Sequence, residues 1–484
     1  MGNNGNHYNG VTLPTSIFSD FHASYSCRQK NLSNQGRELT LPRILLVLTE
    51  FPPRIGGMQT HAAYLARHLA QNGYAIEVFT YRSSAPDVVQ EEHAHDCEQP
   101  FVIYRILGRL SYQHNLDLLA QHASRFKPDL IYSSTVFYGI LQSQLGIPVA
   151  CRCVGNDVMR PWLGYPYRIG SRLLNWKRLD KLLHLWIEKD LYPDWVEALF
   201  RRKRERLAAA SACAASHIFA NSDFTAHLLG QLQVAAARVQ VVAGGVDSRR
   251  FENAQEDRSD LRLSLGLPPS GYLLLTACRL VKKKGIDFLL EAVPALDPIL
   301  PNVHLVVVGD GKYKSRYEKL CAERGIGNVS FVGRVPHHQI HRYYAACDLF
   351  VLASKESVNP LTGTRDVETM GRVLCEANAA GIAVIASRSG GIPSIIADGD
   401  NGLLFETGNQ DQFIEKLRYL KNNPEIRARL VARGLSRARE EFDWSGVLHA
   451  HELIFAQLCR SHPQSARPPG WIDNRVLQGL TGAS

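Results

Sequence analysis

Two glutamates stand eight positions apart in the run Asp366-Val-Glu-Thr-Met-Gly-Arg-Val-Leu-Cys-Glu376. Gly371 interrupts regular structure after Glu368, whereas Arg372 to Ala380 carries good helix formers and stops at Gly381, a residue type suited to a helix C′ position. Glu368 is therefore expected on a loop and Glu376 on a helix. Ile382 to Ala386 reads as a short buried strand, and Ser389-Gly-Gly-Ile-Pro393 as a turn opening another helix. Helix starts offer free backbone N–H groups to anions, and glycines let a phosphate approach the chain. Carboxylates are poor phosphate ligands but good acceptors for sugar hydroxyls, so the combination suits a nucleotide sugar. A cationic pair serves the same ligand. Cys278-Arg-Leu-Val-Lys-Lys-Lys-Gly285 follows the apolar run Tyr272 to Ala277, where Arg279 offers a diphosphate a planar fork and Lys284 a point charge.

The paired glutamates, the small-residue helix, the strand and Ser-Gly-Gly-Ile-Pro together resemble the signature of the family-4 retaining glycosyltransferases. The spacing from Arg279 to Lys284-Gly285 resembles the donor-phosphate motif of the same family, and the likeness runs from Leu41 to Leu458. It implies the GT-B architecture: two Rossmann-like doubly wound α/β domains facing across a cleft, with the last helix packing back on the first. It further implies that Glu376 holds the donor ribose, that Glu368 contacts the transferred sugar, that the backbone from Gly333 to Val335 lies near the nucleobase, and that anomeric configuration is retained. One departure stands out. Many members carry a histidine just before the glycine of the segment that here reads Gly155-Asn-Asp-Val158, and this chain has Val154 there.

The elements that must position these groups follow from the hydrophobic pattern. Residues 1–40 are rich in Asn, Ser, Gln and Gly and read as a mobile extension. Arg43 to Thr49 is a buried-strand run leading into a loop with Gly56 and Gly57 and then the amphipathic stretch Gln59 to Gln71. Further strands are expected at Ala75 to Tyr81, Asp129 to Ser133, Val149 to Cys153, from Ile218 and at Val239 to Val242. Alternation with helical patterns argues a parallel sheet whose ligands bind at the C-terminal strand ends. Gly56 and Gly57 belong there, as does Asp157, which either faces the cleft or caps the next helix. The polar, charge-rich run from Ala243 to Ser270 reads as an interdomain linker. The second unit adds strands at His304 to Val308, ending at the turn of Gly309, at Val329 to Val335 and at Asp348 to Ala353. Helical patterns follow at Gln410 to Asn422 and Pro424 to Phe442. The expected division is 1–40 extension, 41–248 acceptor domain completed by 443–462, 249–442 donor domain, and 463–484 tail.

A chain of 484 residues exceeds one ordinary core, and 45% hydrophobic with 21% charged residues is globular composition. No apolar run reaches the ~18 residues of a spanning helix, and the start Met-Gly-Asn-Asn-Gly-Asn lacks a signal-peptide charge and apolar core. A soluble, cytoplasmic chain is expected. Ten cysteines lie scattered without a Cys-x-x-Cys pair, which argues against a zinc site or disulfide framework. The net charge of +9 favours anionic partners. Residues 160–206 mix Arg and Lys with Leu and Trp, either as a solvated helix face or as a contact with anionic lipid at the inner membrane face. No nucleic-acid-binding module is recognisable.

Breaking a sugar–diphosphate bond puts negative charge on the departing phosphate. Arg279, Lys284 and the backbone amides of Val373 and Leu374 are expected to stabilise it without a metal or cofactor, since no Asp-x-Asp stands at a suitable strand end. The partners expected are a nucleotide sugar, either GDP-mannose or a UDP-hexose, and a glycan or lipid-linked acceptor. Two rival readings are a sugar-nucleotide epimerase of similar architecture and a catalytically weak nucleotide-sugar-binding protein.

Overall fold

The computed structural model describes residues 42–461 apart from 54–55, 84, 110–111, 160–177, 180–181, 183–193, 252–256 and 359–364. The N-terminal extension, the tail and most of the aromatic and basic stretch 160–206 lie outside the described residues.

Seven strands form the first sheet: β1 (Arg43–Val47), β2 (Ala75–Tyr81), β3 (Val102–Leu107), β4 (Leu130–Ser133), β5 (Val149–Cys153), β6 (His217–Ala220) and β7 (Val239–Val241). Their order is β3-β2-β1-β4-β5-β6-β7, with parallel pairing such as Ile44 opposite Ile76 and Leu130. The second half of the chain gives β8 (Tyr272–Ala277), β9 (Val303–Val308), β10 (Val329–Gly333), β11 (Leu349–Leu352), the short hairpin of β12 (Ser357–Val358) and β13 (Arg365–Asp366), β14 (Ala383–Arg388) and β15 (Leu403–Glu406). The second sheet runs β10-β9-β8-β11-β14-β15, again parallel.

The central runs are strands because they are short and predominantly apolar, and helices cover both faces of each sheet. Successive side chains point to opposite faces, so Ile44 and Leu46 enter one core of the first lobe and Leu45 and Val47 the other. The second lobe is divided in the same way, with Leu273 and Leu275 on one face and Leu274 on the other.

The last helix, Trp444–Ser461, belongs by sequence to the end of the second lobe but packs on the first. Trp444, Val447, Leu448 and Phe455 share a core with Ala62, Leu65 and Leu69 of the helix Gly57–Gln71. Trp444 stacks on Tyr64 with centroids 4.6 Å apart. The chain thus crosses between lobes twice. The crossings are tied together, since Val246 N–H donates to Phe442 O (2.8 Å) and Trp444 N–H to Val246 O (3.1 Å).

The run read as a linker is partly structured. Arg258–Ser264 is a helix capped by Asp257, whose carboxylate accepts from the amides of Ser259 and Asp260. The segment looks polar, yet Leu261 and Arg262 turn inward. Arg262 donates to Ala346 O and pairs with Asp348, both at 2.8 Å. Two edge strands, β3 and β15, extend the sheets beyond the runs picked out by pattern, and the final helical stretch ends as a helix Pro424–Arg437 followed by a π turn at Ala438–Phe442. Among the described residues no helix is long and apolar enough to cross a membrane.

Phe455 is fully buried against Tyr132 and Phe219. Phe455→Ala should destabilise the first lobe by ~3–5 kcal/mol, the usual cost of a large-to-small change in a core. Denaturant unfolding followed by tryptophan fluorescence checks this, with the midpoint falling well below that of the parent.

Candidate active site

Strand order reverses between β1 and β4 in the first sheet and between β8 and β11 in the second. Ligands of open α/β sheets bind outside the C-terminal strand ends at such reversals. The loops leaving β8 and β11 carry Arg279, Lys284 and Glu368, and the loop leaving β1 carries Gly56 and Gly57.

The loop leaving β8 makes one turn of 3-10 helix, Lys282–Lys284, and ends at Gly285 with φ 64°. A Cβ on Gly285 would meet Ala353 O at 1.8 Å, so the loops of β8 and β11 touch backbone to backbone there. Across that contact the Lys284 ammonium donates to Glu368 Oε2. Lys283 adds a hydrogen bond to Val367 O at 3.2 Å and an ion pair with Asp366 at 3.2 Å. Burial alone would push the Glu368 carboxyl up, but Lys284, Lys283 and Arg279 together hold it below the ordinary value. Burial likewise disfavours the Lys284 ammonium, and Glu368 more than offsets it, so its pKa is raised. Both groups are therefore ionised at neutral pH. Arg279, exposed at the mouth of the same loop, lies close enough for its charge to act on both.

Glu376 lies on the helix Arg372–Ala379, which starts at Gly371 in the left-handed region (φ 85°). That conformation favours glycine. Glu376 faces inward, and the Tyr344 hydroxyl donates to its Oε2 at 3.1 Å. Arg372 Nε and His337 Nε2 face Oε1 at 3.8 and 3.7 Å. Burial raises the carboxyl, but His337, Arg372 and Tyr344 bring it below the usual range. At the start of this helix the Leu374 amide already donates to Gly371 O (2.8 Å), which withdraws it from the donor set expected for phosphate. The Val373 amide remains one of the first-turn N–H groups that lack an intrahelical acceptor.

Gly309 has φ 130°, and a Cβ there would meet Cys278 O at 1.9 Å. Its N–H donates to Gly333 O at 2.8 Å, while Cys278 N–H donates to Val308 O at 3.0 Å, so the ends of β8, β9 and β10 are laced together beside Arg279. Val335 is half-buried against the core that also holds Val373 and Leu374. Gly57 starts the helix Gly57–Gln71, and Arg372 reaches across to its carbonyl at 3.5 Å. Asp157 is placed differently from the cleft-facing reading. It is buried inside the first lobe and accepts from Val136 N (3.2 Å), Val154 N (3.2 Å) and Cys153 Sγ (3.3 Å), fastening the loops of β4 and β5; burial raises its carboxyl.

The first lobe also holds the Glu368 loop. Ser222 caps the helix Asp223–Gln231 by accepting from Thr225 N (3.2 Å), and its hydroxyl donates to Thr369 O at 2.6 Å. Asp223 N–H donates to Ser394 Oγ at 2.9 Å, and Gly244 N–H approaches Met370 Sδ at 3.0 Å. A Cβ on Gly155 would meet Thr369 at 2.6 Å. Ser222, Tyr344, His337 and Arg372 escaped the sequence reading. Arg372 carried a signal, since it stands four residues before Glu376 on one helix and such pairs meet. The others come from distant segments.

Two parallel-sheet lobes, each with a switch point at its C-terminal strand ends, are the GT-B architecture. Comparisons agree: residues 257–437 match the family described as Glycosyl transferases group 1 and residues 55–250 match Glycosyltransferase Family 4. The chain belongs to this family of glycosyltransferases. A similar protein is the GDP-mannose-dependent monoacylated alpha-(1-6)-phosphatidylinositol monomannoside mannosyltransferase of Corynebacterium glutamicum, 27% identical over 87% of this chain and 99% of its own length. Another is a D-inositol 3-phosphate glycosyltransferase of Frankia alni, 29% identical over 82% of this chain and 94% of its own. Anabaena HepE in complex with UDP-glucose shares the fold, with a TM-score of 0.61 at 20% identity over 86% of this chain and 99% of its own.

Ser222→Ala removes a helix cap and the donor to a buried carbonyl, and should cost ~1–2 kcal/mol, read as a lower denaturant midpoint. Stability should also respond to acid. Because the folded pKa values of Glu368 and Glu376 are depressed, their contribution is present above the ordinary carboxylate value of ~4.3 and is lost as pH falls below it. Glu376→Gln should therefore lose less stability between neutral and acid pH than the parent does, which denaturant midpoints at the two pH values measure.

Proposed function

We propose that this chain is a retaining hexosyltransferase that moves a hexose from a nucleotide-diphosphate sugar, GDP-mannose or a UDP-hexose, to a glycan or lipid-linked acceptor, with no metal or other cofactor. The observation that carries the reading is the Lys284–Glu368 contact beside exposed Arg279, with the buried carboxylate of Glu376 eight residues further on. As the sugar–phosphate bond breaks, negative charge grows on the leaving diphosphate, and Arg279 and Lys284 stand where they neutralise it. Glu376 accepts from the ribose hydroxyls. Gly56 and Gly57, at a helix start across the cleft, keep the approach to the diphosphate open. Glu368 contacts the transferred sugar. A carboxylate already paired with an ammonium is a weak nucleophile, which favours front-face transfer within one ion-pair-like step over a covalent glycosyl–Glu368.

The mannosyl donor is favoured by the names of the relatives, several of which are GDP-mannose-dependent enzymes acting on phosphatidylinositol mannosides. The UDP-hexose alternative is favoured by the UDP-glucose complex of the similar fold. A lipid-linked acceptor places the enzyme at the cytoplasmic face of the membrane. The helix Asp194–Ala214, with exposed Arg202 and Arg206, contributes to contact with anionic lipid.

A thermal-shift screen against UDP- and GDP-sugars, followed by transfer assays, tests the reading. With the sugar nucleotide that binds, Arg279→Ala should lower kcat by ~10²–10³ without loss of fold, because a preorganised charge-stabilising donor has been removed. Retention of more than about a tenth of parental turnover would refute the assignment, since tenfold corresponds to only ~1.4 kcal/mol. Mass spectrometry of the reacting enzyme should show no glycosyl adduct on Glu368.

A further inference from the structure

The buried carboxylate of Glu376 has three neighbours. Its Oε2 accepts from Tyr344, which is itself fully buried, and its Oε1 is approached by His337 Nε2 at 3.7 Å and by the Arg372 guanidinium Nε at 3.8 Å, both beyond hydrogen-bond reach. The other nitrogen of His337 is engaged: Arg250 Nη1 lies 2.8 Å from His337 Nδ1. A guanidinium has only N–H groups to offer and never accepts. Nδ1 must therefore be the acceptor, which makes His337 the neutral tautomer with its proton on Nε2, the nitrogen that faces Glu376. Arg250 is fixed in turn by Asp247 at 3.3 Å and by its neighbour Phe251, a buried ring packed edge-on against Tyr344 at 5.6 Å.

We infer that His337 is a second ribose ligand, presented by Arg250 for that purpose. A ribose hydroxyl between the two groups donates its proton to Glu376 Oε1 and accepts from His337 Nε2–H. The 3.7 Å separation leaves both atoms without a mutual hydrogen bond, so neither must break one to receive the sugar. Arg250 acts through His337 as a positioning residue: without it the imidazole is free to place its proton on Nδ1 and turn a lone pair toward the hydroxyl oxygen. The pairing selects ribose over a sugar lacking that hydroxyl, because the deoxy analogue leaves a buried carboxylate and an N–H unanswered together. This rests on the reading of Glu376 as the ribose acceptor.

Calorimetric titration of the full chain with GDP and UDP, and with the 2′-deoxy and 3′-deoxy forms of whichever binds, tests it. In the parent, one of the two deoxy forms should bind about fivefold to tenfold more weakly than the ribose form. His337→Phe keeps the ring and removes both nitrogens, and that penalty should fall to about half, the remainder being the hydroxyl's bond to Glu376. His337→Gln restores an N–H donor and should recover part of it, a rescue that a purely packing role would not produce. Arg250→Leu should weaken the discrimination while leaving the deoxy form bound as in the parent. Thermal melts check that each variant is folded. If His337→Phe keeps the full penalty while Glu376→Gln abolishes it, the inference about His337 is wrong and the role of Glu376 stands. If neither nucleoside diphosphate binds the parent, or Glu376→Gln leaves the discrimination intact, the reading of the cleft fails and this inference with it.

Discussion

The pairing of the Lys284 ammonium with the Glu368 carboxylate is the contact on which the rest of this structure depends. Each ion is largely shielded from solvent and each would be costly alone, because removing one partner leaves a poorly solvated charge uncompensated. Together they bind the loop leaving β8 to the loop leaving β11 at the point where the strand order reverses. The close backbone approach at Gly285 and the left-handed turn there have a reason in this pair: only a glycine lets the two loops come near enough. A buried pair is weak evidence for stability. Its value here lies in fixing the Lys284 ammonium beside exposed Arg279, whose guanidinium gives the group its net positive charge.

The two lobes are coupled to this point by different means. The helix Trp444–Ser461 returns to the first lobe and buries Trp444 and Phe455 in its core, and the two crossings are hydrogen-bonded to each other at Val246. Nearer the chemistry, Ser222 of the first lobe bonds the carbonyl of Thr369, the residue next to Glu368. Lobe position and the setting of the Glu368 loop are thereby linked, with Gly244 N–H on Met370 Sδ adding a second tie. A separate group of buried polar side chains lies in the first lobe: Arg152 and His61 are 3.3 Å apart, and the rings of His61 and His451 meet at a tilt with centroids 5.0 Å apart. Burial and the neighbouring Arg152 push His451 down to about 3 and hold His61 well below its ordinary value, so both imidazoles are neutral there.

The legible parts of the molecule were those written in local sequence. β1, the glycine loop and the helix after it, the helix of Glu376 with its glycine at each end, and the strand at Ala383–Arg388 all declare themselves by apolar runs, glycines and helix formers within a few residues. β3 and β15 were less visible because edge strands need not be apolar throughout. Arg105 in β3 serves ion pairs with Glu92 and Asp96. The helix Arg258–Ser264 hid inside a charged run because its inward residue, Arg262, is buried by pairing with Asp348. Asp157 looked like a cleft ligand by its place after a strand, yet which way a carboxylate turns depends on the amides of Val136 and Val154, and Val136 is 21 residues away. Apart from Arg372, the company of Glu376 could not be read: His337 and Tyr344 come from the stretch before β11 and Arg250 from the crossing between lobes.

The central claim is that the cations at the end of β8 neutralise a leaving diphosphate while Glu376 holds the ribose. A crystal structure with a bound nucleoside diphosphate tests it most directly. The account predicts the terminal phosphate within ~3 Å of Arg279 and Lys284 nitrogens and a ribose hydroxyl on Glu376. A diphosphate bound with Arg279 turned to solvent, or a ribose remote from Glu376, would contradict it.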